Sequence, residues 1–552
     1  MRRALTLVCL FFACGMARAE PAPKSWWLEL IGTTDRHGEL KQAALLGGYL
    51  AVLRREHPGK TLLLDGGDLF TGTLVADLGE GAAIIRAMNA LGYDAAAVGN
   101  HDFDFGPVGP RAVPKDLSDD PRGAIEARAK QAHFPLLTAN IVKSDGGPLG
   151  WARPFAMVKL AGEKIAVVGG TTAATPETTM HPNLVGLDVL PLAPKIAEAT
   201  RRARSLGAKV VIAVVHAGGA CPPRTVTLTR EAPGDLEGCV ADSELFQLAH
   251  ALAKGDPASR PDAIFGGHTH HALTAVIGGI PLSQADPRGT AFSVIALEID
   301  GTTGRPTGAF RLEPPTILKS GDRFHGAPIA PDPKVAAAIA PDFSRAAARR
   351  AAPVGVILDG KLWRSYDTES PMGNLFADLV RLATSADIGL INGGGLRADL
   401  PAGPLSYGAL FAALPFANRL ATLRLSGAAL KRLFAANFAG DHGLLSIGGA
   451  TVSGRCEKGQ VAVTITLASG RTVGDRDQVR VGTSDFLALG GDDFAKVLTP
   501  GAARIDENGP TQRDAIAAAL GRLAELRPDD PRFFDPKHPR IRLAAPRPLT
   551  CR

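Results

Sequence analysis

The chain has 552 residues and a mass of 57.4 kDa, which predicts two or more domains of about 100–200 residues each. Hydrophobic residues make up 45% of the chain and charged residues 21%, a composition that excludes a largely disordered protein. The 63 glycines follow no Gly-X-Y period, and no repeat of about 20–50 residues is visible, so the sequence also excludes collagen and argues against a solenoid or propeller.

Residues 1–19 have the pattern of an export signal. Two arginines precede the apolar stretch Ala4–Met16, and Ala17-Arg18-Ala19 supplies a small-x-small cleavage site. About 13 apolar residues are too few to cross ~30 Å of hydrocarbon, so we expect cleavage, no stable membrane insertion, and a periplasmic or secreted protein. The sequence leaves open the export route and lipid anchoring.

The charge of the mature chain is close to neutral. Cleavage takes away three arginines and no acidic residue, so the net charge falls from +6 to +3. An excess this small predicts no binding to a nucleic-acid polymer.

Four cysteines remain after cleavage, and in an oxidising compartment they predict two disulfides. No C-x-x-C or C-x-x-H unit is present, which argues against a zinc knot. Four cysteines allow three connectivities. Proximity in the sequence and membership of the same domain favour Cys221–Cys239 and Cys456–Cys551.

Short apolar runs alternate with Ala-rich helical stretches over residues 24–325, a pattern that predicts a layered α/β domain. The predicted strands are Trp27–Ile31, Thr61–Leu64, Ala95–Val98, Ile165–Val168, Val210–Val215 and Ala263–Phe265. The predicted helices are Gly47–Glu56, Glu80–Ala90 and Ala197–Leu206.

A polar, Ala-rich stretch bounded by prolines follows at residues 331–352. It carries few large apolar residues, which predicts an exposed linker helix between domains. Residues 353–545 then form a second predicted α/β domain. Its predicted strands include Ile388–Ile391, Val461–Ile465 and Gln478–Gly482.

Side chains that commonly bind metal ions directly follow five of the predicted strands. Carboxyl ends of strands meet at one edge of an open α/β sheet, so we expect these side chains to gather there. Seven ligands exceed what one catalytic ion can use, whereas two divalent ions sharing a carboxylate fit the count. Mixed Asp, Asn and His ligation favours zinc, manganese, iron or cobalt over calcium. The candidate ligands are Asp35, His37, Asp68, Asn100, His216, His268 and His270.

These motifs resemble a known family. Asp35-x-His37, Gly67-Asp68, Gly99-Asn100-His101-Asp102, His216 and Gly267-His268-Thr269-His270 are similar to the calcineurin-type metallophosphoesterase signature. In the second half, Ser370–Leu375, Asn392–Arg397, Leu414-Pro415-Phe416 and Asp485–Asp492 resemble the C-terminal domain of 5′-nucleotidases. The resemblance covers nearly the whole mature chain, which is similar to bacterial periplasmic 5′-nucleotidase/UDP-sugar hydrolases. It implies an N-terminal four-layer sandwich, a linker helix and a second α/β domain that binds substrate.

The resemblance also implies a mechanism. His101 resembles a catalytic acid that donates to the phosphoryl or leaving oxygen, and Asp104 fixes its orientation. A hydroxide that bridges the two ions is the implied nucleophile. One implied ion is held by Asp35, His37, Asp68 and His270, and the other by Asp68, Asn100, His216 and His268.

In the second half, Phe416 and Phe486 resemble two aromatic plates that sandwich a nucleobase. Asp492 resembles the carboxylate that binds ribose hydroxyls, while Asn392 and Arg397 resemble contacts to base and to sugar or phosphate. The alternative interpretation of the two phenylalanines is that they are core residues.

One position departs from the family pattern. Tyr366 stands six residues before Met372, where many relatives carry an arginine, and Arg364 lies two residues before it. This departure leaves the preferred nucleotide open.

The implied function is an exported, metal-dependent phosphoric monoester hydrolase that acts on nucleotides, above all 5′-mononucleotides. The same fold also allows 2′,3′-cyclic nucleotides, nucleotide sugars or thiosulfohydrolase chemistry, although paired phenylalanines favour a substrate with a base. A binding or adhesion protein on an inactive scaffold is a third interpretation, and the intact ligand set argues against it. The physiological metal and the oligomeric state stay undetermined.

Overall fold

The computed structural model of the protein describes residues 25–109, 111–114, 118–221, 238–492, 494–498, 503–506 and 510–551. The predicted export signal therefore lies outside the described residues. Within the described ranges, no helix combines the length and the apolar character that a membrane crossing requires.

Two sheets form the centre of the N-terminal domain, and both are mainly parallel. The seven-stranded sheet contains, in spatial order, Pro306–Ile317, Ala291–Ile299, Trp26–Thr33, Thr61–Asp65, Ala95–Ala97, Leu136–Leu137 and Ala152–Arg153. The six-stranded sheet contains Leu273–Ile277, Ile280–Gln284, Ala263–Phe265, Val210–His216, Glu163–Thr171 and Phe155–Leu160.

The two sheets pack face to face, and helices cover their outer faces. Leu30, Leu64 and Val214 belong to one buried apolar cluster between the sheets. Strands covered on both faces read as continuous apolar runs, and all seven residues of Val210–His216 are buried. The seven-stranded sheet is covered by Ala43–Glu56, Leu74–Asp77, Ala82–Leu91 and Gly123–Gln131, and the six-stranded sheet by Leu192–Ser205 and Glu244–Lys254. The predicted four-layer sandwich is confirmed, and so are the six predicted strands. Ala263–Phe265 has the predicted bounds, and the other five shift by one to three residues at their ends.

A helix forms over Pro333–Ala351, but the prediction that it is exposed is wrong for one face. Val335, Ile339 and Ala346 are buried in the same apolar cluster as the helices over the seven-stranded sheet. The Asp342 carboxylate on this face accepts from Arg86 Nε at 3.1 Å. The sequence did not predict this packing, because alanines let a helix lie close to its neighbours but are equally common on an exposed helix.

In the described part of the C-terminal domain there are three smaller sheets. The five-stranded sheet contains, in spatial order, Leu445–Gly448, Ile388–Asn392, Gln478–Ser484, Leu420–Ser426 and Ala503–Ile505. One three-stranded sheet contains Gly403–Ser406, Pro353–Leu358 and Glu525–Leu526. The other contains Gln460–Leu467, Ala450–Glu457 and Ile541–Leu543. The helices of this domain are Pro371–Ala383, Tyr407–Ala413, Gly427–Ala439, Asp485–Ala488 and Gln512–Leu520. Ser370 caps the first of them by accepting from the Gly373 amide at 3.2 Å. The predicted second α/β domain is thus confirmed.

Two disulfides form with the favoured connectivity, Cys221–Cys239 and Cys456–Cys551. The first closes the ends of the insertion 222–237, which lies outside the described residues. The second ties the C-terminal tail to the strand Ala450–Glu457.

Candidate functional site

Five loops meet at one end of the sandwich, each at the carboxyl end of a strand. Three follow strands of the seven-stranded sheet and two follow strands of the six-stranded sheet. The ligand candidates therefore come from two stacked sheets, whereas the sequence predicted one sheet edge. The outcome for the site is the same, because parallel strands of both sheets end on the same side.

The first ligand group contains Asp35, His37 and His270, whose donor atoms all lie within 4.8 Å of one another. The Nε2 atoms of His37 and His270 are 2.9 Å apart. His270 Nε2 is also 3.4 Å from Asp35 Oδ1. The three side chains thus point their lone pairs at a common point, as ligands of a cation do.

The second group contains Asp68, His216 and His268 within the same 4.8 Å limit. His216 Nδ1 donates to the Gly66 carbonyl at 2.9 Å, so in the neutral ring Nε2 carries a lone pair. That Nε2 faces Asp68 Oδ2 at 3.2 Å and Asn100 Oδ1 at 3.0 Å. Three electron-rich atoms facing one another require a proton or a cation between them.

Asp68 connects the two groups. Its Oδ2 lies 3.2 Å from His216 Nε2 in the second group and 3.5 Å from His37 Nε2 in the first. This placement is the one expected for a carboxylate shared by two ions. The donor set therefore fits a pair of divalent cations.

The backbone of the site is strained at the ligands. Asp35, His37, Asp68, His268 and His270 have φ angles of 49°, 44°, 57°, 77° and 61°, in the left-handed region that favours glycine. Each such residue costs on the order of 1–3 kcal/mol, which the surrounding structure must offset. Strain concentrated on five candidate ligands indicates that their positions serve binding and not folding stability.

A glycine is required beside Asp68 for a steric reason. A Cβ atom at Gly99 would lie 2.2 Å from Asp68 Oδ1. Any side chain there would displace the carboxylate that connects the two groups.

The protonation of the histidines follows from burial and from the two carboxylates. Burial opposes the charged form of His216, but the neighbouring Asp68 outweighs it and raises the pKa of His216 to about 10. Burial, reinforced by the positive charge on His216, lowers the pKa of His268 to about 3. Burial also holds the pKa of His37 well below its usual range. His37 and His268 are therefore neutral, the form that ligates a metal, and a bound cation would replace the proton on His216.

His101 and Asp104 form a pair beside the ligand groups. His101 Nδ1 is 2.7 Å from Asp104 Oδ2, and Thr179 Oγ1 donates to Asp104 Oδ1 at 2.9 Å. The His101 amide donates to Asp68 Oδ1 at 2.9 Å, which places the ring next to the shared carboxylate. Burial opposes the charge on His101, but Asp104 and Asp68 outweigh it and raise the pKa of His101. The arrangement suits a proton donor held in one orientation.

One cavity of about 730 Å³ joins this centre to the C-terminal domain. From the N-terminal domain its lining includes Asp68, Asn100, His101, Asp104, His268 and His270. Each of the five substrate-binding candidates also lines it, namely Asn392, Arg397, Phe416, Phe486 and Asp492. Asp35 and His216 lie beneath the surface with no exposed area.

The substrate-binding candidates contact one another and the catalytic pair. Asn392 Nδ2 donates to Asp492 Oδ2 at 2.6 Å. The Arg397 guanidinium lies 5.9 Å from the centre of the Phe416 ring. Phe416 and Phe486 are both half-buried and line the cavity, and Phe486 also packs against the apolar core of the C-terminal domain.

The cavity also contains residues that the sequence motifs did not reveal. Arg288 and Asp441 line it, and so do Tyr366 and Arg364, the pair at the departure from the family pattern. Thr179 supports Asp104 from the loop after Thr175–Thr178. Arg288 sits in a turn, Asp286-Pro287-Arg288-Gly289, that reads as a plain connection between strands, so only its position in space identifies it.

Comparisons with known proteins agree with this architecture. Residues 348–499 match the family model of the 5′-nucleotidase C-terminal domain. The chain is 26% identical over 535 residues to Protein UshA of Yersinia enterocolitica, covering 89% of this chain and 90% of that protein. It is 26% identical over 472 residues to the 5′-nucleotidase of Homo sapiens, covering 75% and 72%.

A solved structure has the same fold. The 5′-nucleotidase precursor from Thermus thermophilus superimposes with a TM-score of 0.72 at 22% identity, covering 94% of this chain and 99% of that one. The predicted resemblance to the 5′-nucleotidase family is thereby confirmed.

Proposed function

We propose that this chain, whose residues 348–499 carry the C-terminal domain of the 5′-nucleotidases, is an exported phosphoric monoester hydrolase that releases phosphate from nucleotides, with 5′-mononucleotides preferred. One observation carries the proposal. A single cavity of about 730 Å³ is lined by members of both ligand groups at one end and by Phe416, Phe486 and Asp492. A molecule that carries a phosphate and an aromatic base matches that combination of partners.

The cofactor is proposed to be a pair of divalent cations, chosen among zinc, manganese, iron and cobalt by the Asp, Asn and His donors. The first ion is assigned to Asp35, His37, Asp68 and His270, and the second to Asp68, Asn100, His216 and His268. When bound, such a pair acidifies a shared water and neutralises charge on phosphoryl oxygens.

The side chains of this protein then divide the remaining work. His101, held by Asp104 and through it by Thr179, donates to the phosphoryl or leaving oxygen as the bond to the nucleoside breaks. Phe486 and Phe416 hold the base by stacking. Asp492, oriented by its 2.6 Å hydrogen bond from Asn392, accepts from ribose hydroxyls.

Export is proposed from residues 1–19, and the two disulfides agree with an oxidising compartment.

A panel that follows both free phosphate and nucleotide products tests the proposal, because hydrolysis of a cyclic or sugar nucleotide first gives a mononucleotide and no free phosphate. Metal-stripped protein is reloaded with each of the four metals and assayed on 5′- and 3′-mononucleotides, 2′,3′-cyclic nucleotides, nucleotide sugars and a small aryl phosphate. We expect the highest kcat/KM for a 5′-mononucleotide and no activity without metal. Activity confined to cyclic or sugar nucleotides would replace the proposed substrate, and phosphate release from none of them would refute the function.

A further inference from the structure

Arg288 connects the two halves of the cavity. Its backbone amide donates to the carbonyl of Asp35 at 2.7 Å. The loop of Asp35 also carries the ligand candidate His37. Arg288 Nη2 donates to the Arg397 carbonyl at 3.3 Å, in the C-terminal domain. The residue has a φ of 60°, so the turn holds a non-glycine residue in the left-handed region. Backbone conformations of this kind concentrate at functional sites.

The positive charge in the cavity is concentrated beside the ligand groups. Among the described residues that line it, Arg288 is the one Lys or Arg from the N-terminal domain, and Arg364 and Arg397 come from the C-terminal domain. All three arginines line the same cavity, and Arg288 Nη2 lies 3.3 Å from the Arg397 carbonyl. Burial, together with repulsion from Arg288 and Arg364, lowers the pKa of Arg397 to about 10.

Few carboxylates oppose these three cations. Asp68 attracts Arg397, but it is the carboxylate shared by the two ligand groups. Asp399 accepts from the Arg364 amide and pairs with Lys361 at 3.0 Å. Glu39 attracts Arg288 and also pairs with Lys41 at 3.1 Å. The cations are therefore incompletely neutralised by the protein.

The acidic lining residues outside the ligand groups and the catalytic pair lie elsewhere. Burial, together with the nearby carboxylates of Asp492 and Asp441, raises the pKa of Tyr366. Asp492 also accepts a hydrogen bond from Asn392. The cavity is thus polarised, with guanidinium groups near the ligand groups and carboxylates near the base-binding candidates. An anionic group of a substrate would be drawn to the first end and hydrogen-bond donors of a sugar or base to the second.

Resting on the proposed function, we propose that Arg288 is a specificity-determining residue of the N-terminal domain that binds the phosphoryl group of the substrate, completing an arc of three arginines with Arg364 and Arg397. The side chain of Arg288 is exposed, and its guanidinium has N–H donors besides the one bound to the Arg397 carbonyl, so it can also donate to an anion in the cavity. A guanidinium presents paired N–H donors that match phosphate oxygens. The position of Arg288 makes it the one arginine of the arc that is attached to a loop of the ligand groups.

Equilibrium binding tests this role without turnover. Zinc-loaded wild type and variants are titrated calorimetrically with inorganic phosphate and, separately, with adenosine, which has no phosphate. We expect Arg288→Met to raise the Kd of phosphate about tenfold and to leave the Kd of adenosine within about twofold. Arg201→Met, at an exposed arginine of the same domain that is not in the cavity lining, is the matched control and should change neither Kd.

Two further variants separate charge from loop support. Arg288→Gln keeps a donor for the Arg397 carbonyl but has no charge, and Arg288→Lys keeps the charge. We expect Lys to recover most of the phosphate affinity and Gln to recover little. Recovery by Gln and not by Lys, or equal weakening of phosphate and adenosine, would show that Arg288 only holds the two loops together and would overturn the proposal.

Elemental analysis and thermal melting confirm that each variant retains zinc and its fold. If Arg288→Met fails this check, the Gln variant provides the uncharged comparison, and an unchanged phosphate Kd in it overturns the proposal. Failure of this proposal is distinguishable from failure of the proposed function. Arginine-dependent phosphate binding in a protein that hydrolyses no nucleotide would refute the function and leave only the phosphate binding by Arg288 standing.

Discussion

The ring of Phe416 in the C-terminal domain stacks on the imidazole of His101 in the N-terminal domain, with ring centres 5.4 Å apart and planes inclined by 29°. One face of Phe416 is therefore in contact with the proposed proton donor, and a base can stack only on the other face. This contact gives the two phenylalanines of the cavity different roles, although the sequence motifs presented them as equivalent.

Phe486 is the cleaner probe of base binding. We expect Phe486→Ala to lower kcat/KM for a nucleotide by about 1–3 kcal/mol, or about 5–150-fold, and to leave a small aryl phosphate almost unaffected. Phe416→Ala should lower both, because it also removes packing against His101. Steady-state kinetics on the two substrates measure the difference. Leu382→Ala, at an exposed apolar residue of the same domain, is the control. An equal loss on both substrates in Phe486→Ala would contradict base stacking.

The catalytic pair should separate from metal binding. We expect His101→Ala to reduce kcat by about 10²–10⁴ while the protein retains its metal, because His101 is a donor and not a ligand. Asp104→Asn should cause a smaller loss, since the imidazole remains but its orientation and charge support weaken. Thr179→Val should cause a smaller loss still.

Turnover and elemental analysis are measured together for these variants. His133→Ala, at an exposed histidine of the same domain, is the control. Loss of metal in His101→Ala would assign His101 to the ligand set instead.

Asp68 should be needed by both ions. We expect Asp68→Ala to lose metal from both sites, whereas His37→Ala should weaken mainly the first site and His268→Ala mainly the second. The physical reason is that Asp68 Oδ2 faces a histidine of each group. Elemental analysis after dialysis gives the stoichiometry, with exposed Asp145→Asn as the control. Two full equivalents of metal in Asp68→Ala would contradict the assignment.

Arg513 should control the placement of Phe416. Its buried Nη1 donates to the carbonyls of Leu414 and Phe416 at 2.7 and 3.1 Å, and its Nε lies 3.2 Å from the Tyr407 hydroxyl. Removing the donor leaves carbonyl groups unsatisfied, at about 1–3 kcal/mol for a buried group. We therefore expect Arg513→Met to lower the thermal midpoint and to raise KM for a nucleotide more than it lowers kcat.

The control for this prediction is Arg522→Met, because Arg522 is an exposed arginine of the same domain. Unchanged stability and KM in Arg513→Met would show that the loop keeps its conformation without these hydrogen bonds.

The disulfide Cys456–Cys551 should contribute more stability than Cys221–Cys239. The residues of the first pair are 95 positions apart and those of the second 18, which correspond to about 4.7 and 3 kcal/mol in the loop-entropy account. Thermal melting of Cys551→Ser and Cys239→Ser compares them, and mass spectrometry of unreduced wild type should find no free thiol. Four free thiols in exported protein would contradict both pairings.

Much of this architecture could be predicted from the sequence because its signals are local. Strands such as Val210–His216 and Ala263–Phe265 are short apolar runs. The first ends at its candidate ligand His216, and the second is followed by two glycines and the candidate ligand His268. A strand covered on both faces needs apolar residues throughout, so the first polar residue or glycine after the apolar run marks the end of the strand. The seven ligand candidates were predicted in this way. The pair His101 and Asp104 was predicted from the family resemblance, and the disulfide connectivity from proximity in the sequence and membership of the same domain.

The tertiary structure decided what depends on distance between remote segments. No local pattern shows that the Asp342 face of the helix Pro333–Ala351 is buried, because alanine suits an exposed helix as well as a closely packed one. The position of Arg288 between Asp35 and Arg397, and the contact of Phe416 with His101, join residues from different loops and domains. Such contacts arise from how the sheets and domains pack. The sequence alone therefore determined the candidate ligands and the strands that carry them. The packing of the two domains determined which arginines and which face of Phe416 the substrate can reach.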